Sequence, residues 1–522
     1  MEFFKIRRDI PFMRYALVLN VISLVTFLAA VFFLLGVALF TRDNAFPFQY
    51  HPDEHTKVRQ ILEGTRNLRH PLLLLNTTDL AVGAAGVPAD EQRVAVAGRC
   101  VAAFFAAGAV ATLALLGRAL GGAGGGWLAG AVALTNPQIY ECAHYFKEDT
   151  ALLFGSAVTW LFVTRYIDKP NCTSAVGMGF GVALAASGKY LGVLNLLLPL
   201  VAFVITARKA NARIAGGAAL LAAASAATVF FAINYQLFFA PEQLRNSLDF
   251  EMKHVLQGEG GISKQVPHIY YLERLNEVMS AGLIVAGSVF AVLAVRMRHT
   301  AGWLSVGFAL VYLAVLSSSP KIAMRYLLPV TGAWCVFAGA GIALLLQQVL
   351  TAGARQWLAR GSLALAVALL LLIGGMQGRQ LARMTDAFRR DSRSELAKWM
   401  LANLPLGSTV AYETKVGLGW LVERMPALDG YTLLRKDYVA DLGTVEELRA
   451  RGIQWVAVYG INRGFHRGKH FPQAAVREAF ERRRDFYAQL DSETKLAWQR
   501  KQGPSGYLLP GLRLYQLSAQ EP

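Results

Sequence analysis

Charge is what this sequence has least of. Only 17% of its 522 residues are Asp, Glu, Lys or Arg, where an ordinary soluble domain carries roughly 25%. Segment 15–40 contains no charge, nor does 361–378, and 325–349 has only Arg325 at its edge. Runs this long exceed a core strand and are greasier than a one-sided helix, so they predict membrane spans. Cysteine is sparse as well. The four, Cys100, Cys142, Cys172 and Cys335, lie within or beside those runs, with neither metal-ligand nor disulfide-framework spacing. The polar C-terminal part shows no Gly-rich phosphate loop and no triad spacing. These absences exclude a soluble enzyme, a disordered chain and a disulfide scaffold.

What the sequence does have is an excess of bases. There are 52 Lys and Arg against 35 Asp and Glu, a net charge of +17. The bases are spread along short loops between apolar runs. That pattern fits positive-inside bias and anionic membrane lipids better than a nucleic-acid partner, and none is expected.

The apolar runs predict about eleven spans, near 15–40, 94–118, 122–138, 150–166, 173–188, 191–207, 214–237, 279–295, 301–318, 326–349 and 360–377. Lys5, Arg7, Arg8 and Arg14 precede the first, which predicts an uncleaved span with a cytoplasmic N-terminus. Every short loop assigned inside then carries bases: Arg118; Arg165 with Lys169; Arg208, Lys209 and Arg213; Arg296 and Arg298; Arg355 and Arg360. The outer face receives the long loops 41–93 and 238–278 and the tail 378–522, leaving 1–377 as the spanning module. In the tail, 391–402 and 471–490 read as helices, and 408–412, 455–459 and 507–517 as strands. GPSG at 503–506 reads as a turn. The fold class is thus an α-helical polytopic membrane protein with a small C-terminal α/β domain on the outer side of the membrane.

The ionisable residues gather on that outer face. YHPDEHTK, Tyr50 to Lys57, sets Asp53 and Glu54 between His51 and His55. Proline keeps His51 extended, and a helix starting at Asp53 places both carboxylates in its favourable first turn. Three readings stand: a solvated N-cap, a carboxylate base for an acceptor hydroxyl or amine, or a metal site built from the two histidines and two carboxylates. HYFKED, His144 to Asp149, puts His144, Lys147 and Asp149 at a membrane boundary, either as a salt-bridged loop or lining a cavity with Asp53. Lys189, Lys321 and Arg325 are bases on the side where bases are scarce. They read as snorkelling anchors or as a site for an anion such as a lipid phosphate.

An acidic pair in the first long outer loop, Lys147 and Asp149 before the fourth span, GKY at 188–190 and KIAMRYLLPV at 321–330 together resemble one group. It is the GT-C glycosyltransferases that use polyprenyl-phosphate sugars, specifically the protein-O-mannosyltransferase and aminoarabinose-transferase-like superfamily. DSRSELAKWMLANLPLGSTVAYE, Asp391 to Glu413, resembles the bacterial members, in which a soluble domain follows the last span. The resemblance spans nearly the whole chain. It implies a polyprenyl-phosphate sugar donor, a lipid, glycan or protein acceptor, and a cavity open to the periplasm. It also implies Asp53 as the acceptor's base with Glu54 beside it, Lys189, Arg325 and Lys321 near the donor phosphate, and Lys147 and Asp149 as cavity partners. No cofactor is required by this chemistry, and a divalent metal near His51 and Asp53 is left open. The rival reading is a secondary transporter with a charged outward-facing cavity. It fits the span count but not the gathering of charge at one face.

Overall fold

The computed structural model describes residues 24–47, 51–86, 88, 90–209, 211–257, 262–264, 271–297, 299–319, 323–351, 356–468 and 470–517. Lys321, the N-terminal bases, Arg298 and Arg355 lie outside the described residues.

Helix α1 (Leu24–Phe40) enters the bundle. Two short helices follow it, α2 (Glu54–Leu62) and α3 (Leu73–Ala84), then the long α4 (Glu91–Leu134), the short α5 (Pro137–Ala143), α6 (Asp149–Asp168) and α7 (Cys172–Gly188). Among the described residues seven helices, not about eleven, are long and apolar enough to cross a membrane. The expected span 15–40 is described only from Leu24, as α1. Two apolar helices, α7 and Ala281–Arg296, are shorter than a full crossing. The spans expected at 94–118 and 122–138 form the single helix α4, broken where Gly121 and Gly122 leave helical backbone, Gly122 at φ 70°. Gly117 there faces Gly125 and Ala129, so α4 doubles back as a hairpin. Glycine is what permits the positive φ at that corner.

Small residues set the packing. A Cβ on Gly155 of α6 would run into the Ala185 backbone of α7. That is the close helix approach expected where spans associate through van der Waals contact instead of water exclusion. The best-covered span is Met324–Val349, with 89% of its apolar window buried, whereas Ala212–Phe239 and Ala359–Ala387 are 17% buried and form the periphery. Trp160, Tyr166, Phe290, Phe308 and Phe337 fill the space around the central spans.

The helix Gln356–Ala387 leads toward the C-terminal domain, which begins its own packing with Ser392–Asn403. Asp391 caps that helix by accepting from the Arg393 and Ser394 N–H groups. Five strands, β2 (Thr409–Glu413), β3 (Thr432–Lys436), β4 (Trp455–Tyr459), β6 (Lys495–Arg500) and β7 (Leu512–Gln516), form one sheet in the order β3-β2-β4-β7-β6. The β3-β2-β4 part is parallel, while β7 is antiparallel to both neighbours. Along β4 the side chains alternate as in any strand. Trp455, Ala457 and Tyr459 face a layer with Leu396 and Met400, and Val456 and Val458 face one with Leu448, Tyr487 and Leu490. A two-strand ribbon joins the loop to this domain: β1 (Ile262–Lys264) runs antiparallel to β5 (His470–Pro472), pairing Ser263 with Phe471.

Candidate active site between the bundle and the C-terminal domain

The ionisable residues singled out above converge where the helical bundle meets the C-terminal domain. Asp53 occupies the N-cap position of α2, but its side chain makes no capping bond. It pairs instead with the Lys147 ammonium from the turn before α6. Asp53 keeps 42% of its side-chain surface exposed, whereas Lys147 keeps 5%. The carboxylate is therefore the open member of the pair. Burial pushes the Asp53 carboxyl up, but Lys147, His51 and Arg325 together outweigh it and hold it well below the usual carboxylate range. Burial and Arg325 push Lys147 down, and Asp53, Glu148 and Asp149 more than compensate, so its ammonium is held above the ordinary lysine value.

Asp149 opens α6, and its Oδ1 accepts from Lys189 Nζ at 2.7 Å. Arg325, from the short turn Met324–Leu327, approaches the other oxygen only to 3.9 Å. The Lys189 ammonium also lies 4.3 Å from the centre of the Tyr326 ring. Lys147, Lys189 and Arg325 thus face Asp53 and Asp149, with Glu141 beside them, whose carboxyl burial lifts to about 7 against Ser505, Tyr145 and Arg325.

Glu54 takes a different place from its neighbour. It is fully buried, forked by Arg99 at 2.9 and 2.5 Å, and accepts the Phe146 N–H at 3.0 Å. It therefore holds α2 against α4 and the 144–149 turn. His51 is buried with its ring 4.4 Å from Tyr145 and 4.3 Å from Tyr507, and its Nδ1 accepts the Asp53 N–H at 3.3 Å. Burial holds its imidazole well below the ordinary value, against the opposing pull of Asp53. His144 sits between two backbone carbonyls, Tyr140 O at 2.7 Å and Arg42 O at 2.8 Å, and burial lowers it to about 4. His55 is exposed. The four candidate metal ligands therefore disperse, and among the described residues no group of three or more His, Cys, Asp or Glu side chains is placed to hold a metal ion.

Several participants went unread in the sequence. Arg99 had a signal, a lone charge inside an apolar run. A second buried pair, Lys57 with Glu148, runs beside the first. Burial pushes Glu148 up, but Lys57, His70 and Lys147 hold it below the usual carboxylate range. The largest omission is the segment around GPSG. It enters the site from the C-terminal domain, with Ser505 Oγ 2.6 Å from the Tyr145 hydroxyl and the Tyr507 hydroxyl accepting from Arg325 Nη1 at 2.9 Å.

No family model matches the chain, and no curated protein sequence matches it. Solved structures do. ArnT from Cupriavidus metallidurans bound to undecaprenyl phosphate aligns over 96% of this chain and 98% of its own, at 15% identity and a TM-score of 0.51. Its apo state aligns over 94% and 98%, at 15% identity and a TM-score of 0.51. The archaeal oligosaccharyltransferase AglB from Archaeoglobus fulgidus aligns over 84% of this chain and 70% of its own, at 11% identity and a TM-score of 0.49. The architecture this chain shares with ArnT along nearly its whole length is the GT-C fold, a bundle of membrane-spanning helices carrying a small C-terminal domain that contains a β-sheet.

Proposed function

We propose that this protein transfers a sugar from a polyprenyl-phosphate-linked donor to an acceptor at the periplasmic face of a bacterial inner membrane. One observation carries the reading. An open, ionised carboxylate, Asp53, is paired with Lys147 and lies in the field of Arg325, and Arg325 and Lys189 converge on the neighbouring Asp149, so three cations from separate segments gather at one opening. Such a site suits a reaction in which a proton leaves one partner while a phosphate departs from another. The shared fold adds support, since the matching ArnT structure holds undecaprenyl phosphate.

The chemistry follows from the charges. The acceptor's oxygen or nitrogen attacks the anomeric carbon, the bond from that carbon to the phosphate oxygen breaks, and polyprenyl phosphate leaves with the electron pair. Arg325 and Lys189 stabilise the growing negative charge, and a partly desolvated setting makes those contacts stronger than in water. Asp53, with its pKa held low, is a weak base that is ionised throughout the neutral range. It takes the proton late, when bond formation has made the acceptor acidic. A single displacement of this kind inverts the anomeric configuration. Glu54 supports the loop, Lys147 fixes Asp53, and neither His51 nor His55 is given a proton-transfer role.

The test is transfer of radiolabelled sugar from synthetic polyprenyl-phosphate sugars to membrane extract, with wild type and Asp53→Asn side by side. Wild type moves label to a product, and Asp53→Asn loses roughly 100-fold or more, the scale of a lost general base. Absence of transfer from every donor, with folded protein, overturns the proposal and favours a transporter. Undiminished transfer by Asp53→Asn removes Asp53 from the mechanism.

A further inference from the structure

The segment 503–510 is tied into the C-terminal domain by its backbone. Gly503 N–H donates to Leu509 O at 2.8 Å and Leu509 N–H to Ser505 O at 3.0 Å, which closes a compact turn. Ser392 Oγ donates to Pro510 O at 2.9 Å, and Arg393 Nη1 donates to Tyr507 O at 2.9 Å. Leu508, 1% exposed, is buried in the same apolar core as the spanning helices. The turn therefore presents Tyr507 to the bundle at a fixed position.

Arg325 sits in an unusual balance there. Its Nη1 donates to the Tyr507 hydroxyl, but its Nε is buried without a hydrogen-bond partner, and so is Asp149 Oδ2, the nearest carboxylate oxygen at 3.9 Å. A guanidinium and a carboxylate this close ordinarily close into a forked pair.

We infer that Tyr507 is a positioning residue that keeps Arg325 off Asp149, so that the guanidinium edge stays available to the phosphate of a lipid-linked ligand. The inference rests on the donor-phosphate reading above and adds that the C-terminal domain completes that site. Accepting from Arg325 uses a lone pair of the phenol oxygen, so the hold on the guanidinium needs no ionised phenol. Burial pushes the Tyr507 phenol up, against the pull of Arg325 and Lys147, so the hydroxyl keeps its proton at neutral pH.

The test is direct binding of undecaprenyl phosphate, the probe, to the full-length protein in detergent, with a matched polyprenol lacking the phosphate as control. Tyr507→Phe keeps the ring beside His51 and removes only the oxygen. It weakens the probe about tenfold, the scale of one hydrogen bond to a charged group. In an Arg325→Ala background the same substitution adds less than twofold, because the two residues act as one unit. Adding Asp149→Asn to Tyr507→Phe restores most of the lost affinity by removing the carboxylate on which Arg325 closes, a larger gain than the same Asn substitution gives in wild type, where it only frees Lys189; a purely structural role for Tyr507 makes the two gains equal and gives no such rescue. Wild-type affinity in Tyr507→Phe, additivity with Arg325→Ala, or absence of rescue overturns the inference while leaving the donor reading in place. Equal binding of probe and polyprenol by wild type, or no effect of Arg325→Ala, sinks the donor-phosphate reading itself.

Discussion

Replacing Arg99 by methionine tests whether the buried fork on Glu54 holds the site loop in place. Both side chains are wholly removed from solvent. Beyond the fork, Arg99 Nη1 donates to Asn44 O at 2.8 Å, Nη2 to Pro47 O at 3.3 Å, and the guanidinium lies 3.4 Å from the centre of the Phe46 ring. Removing one partner of such a pair strands the other charge in a dry interior and costs about 3–5 kcal/mol. That is a large share of the roughly 5–15 kcal/mol that stabilises an ordinary domain. Arg99→Lys restores the charge without the planar fork, so it recovers only part of the loss. Glu54→Leu combined with Arg99→Met removes both charges, and with them the pH dependence that Glu54 contributes, but leaves the Phe146 N–H and the loop carbonyls without partners at about 1–3 kcal/mol each. The pH dependence has a defined sign. Burial raises the Glu54 carboxyl even with Arg99 opposing it, so without Arg99 the folded value lies further above the unfolded one. Stability from that group is then present at low pH and lost as pH rises, and the Arg99→Met deficit is larger at pH 8 than at pH 5. Thermal denaturation of purified protein in detergent, followed by tryptophan fluorescence, reads all of these. An Arg99→Met protein that melts with wild type across this pH range would refute the reasoning.

Two further outcomes are expected. Lys147→Met removes the principal cation holding Asp53 below its ordinary range. Burial then dominates, and the acid limb of the pH–rate profile for transfer moves up by about one pH unit or more; an unmoved limb rules out Lys147 as the group that sets it. In the C-terminal domain, burial lifts Glu413 to about 7, against hydrogen bonds from Tyr487, the Tyr459 N–H and Asn462. Because its folded value lies above the ordinary 4.5, stability falls as pH rises between those values. Urea midpoints measured across that window decline for wild type and stay level for Glu413→Gln, and parallel curves for the two proteins contradict the assignment.

Local pattern carried much of the fold. The charge-free run 361–378 and the apolar WVAVY of β4 announce themselves because a span and a central strand each need an uninterrupted apolar segment. The hairpin within α4 did not, since its corner is two glycines in a glycine-rich run, and only the facing of Gly117 on Ala129 shows which of them turn the chain. The site was half legible. Asp53, Lys147, Asp149, Lys189 and Arg325 stand out as charges beside apolar runs, but adjacency misled at Glu54, where one residue's rotation around α2 turns the carboxylate from the opening to Arg99. Strand β3 carries a half-buried Leu433 among exposed neighbours, so its weak apolar signal hid it. Tyr507 was read as part of a strand, because nothing in GPSGYLLP reveals that a turn of one domain ends beside a base of another.

The span of chain between Tyr145 and Ser505, 360 residues, has a consequence for biogenesis. Helices form within microseconds from near neighbours, whereas contacts between distant segments wait for the loops between them to close. The bundle and the C-terminal domain can each reach its own packing before the two meet. Docking of the 503–510 turn is therefore expected late in maturation, after both parts have packed, and it buries Leu508 in the core of the bundle. On the proposed function, lesions at this junction are expected to lower transfer more than membrane abundance, so the two need to be measured separately.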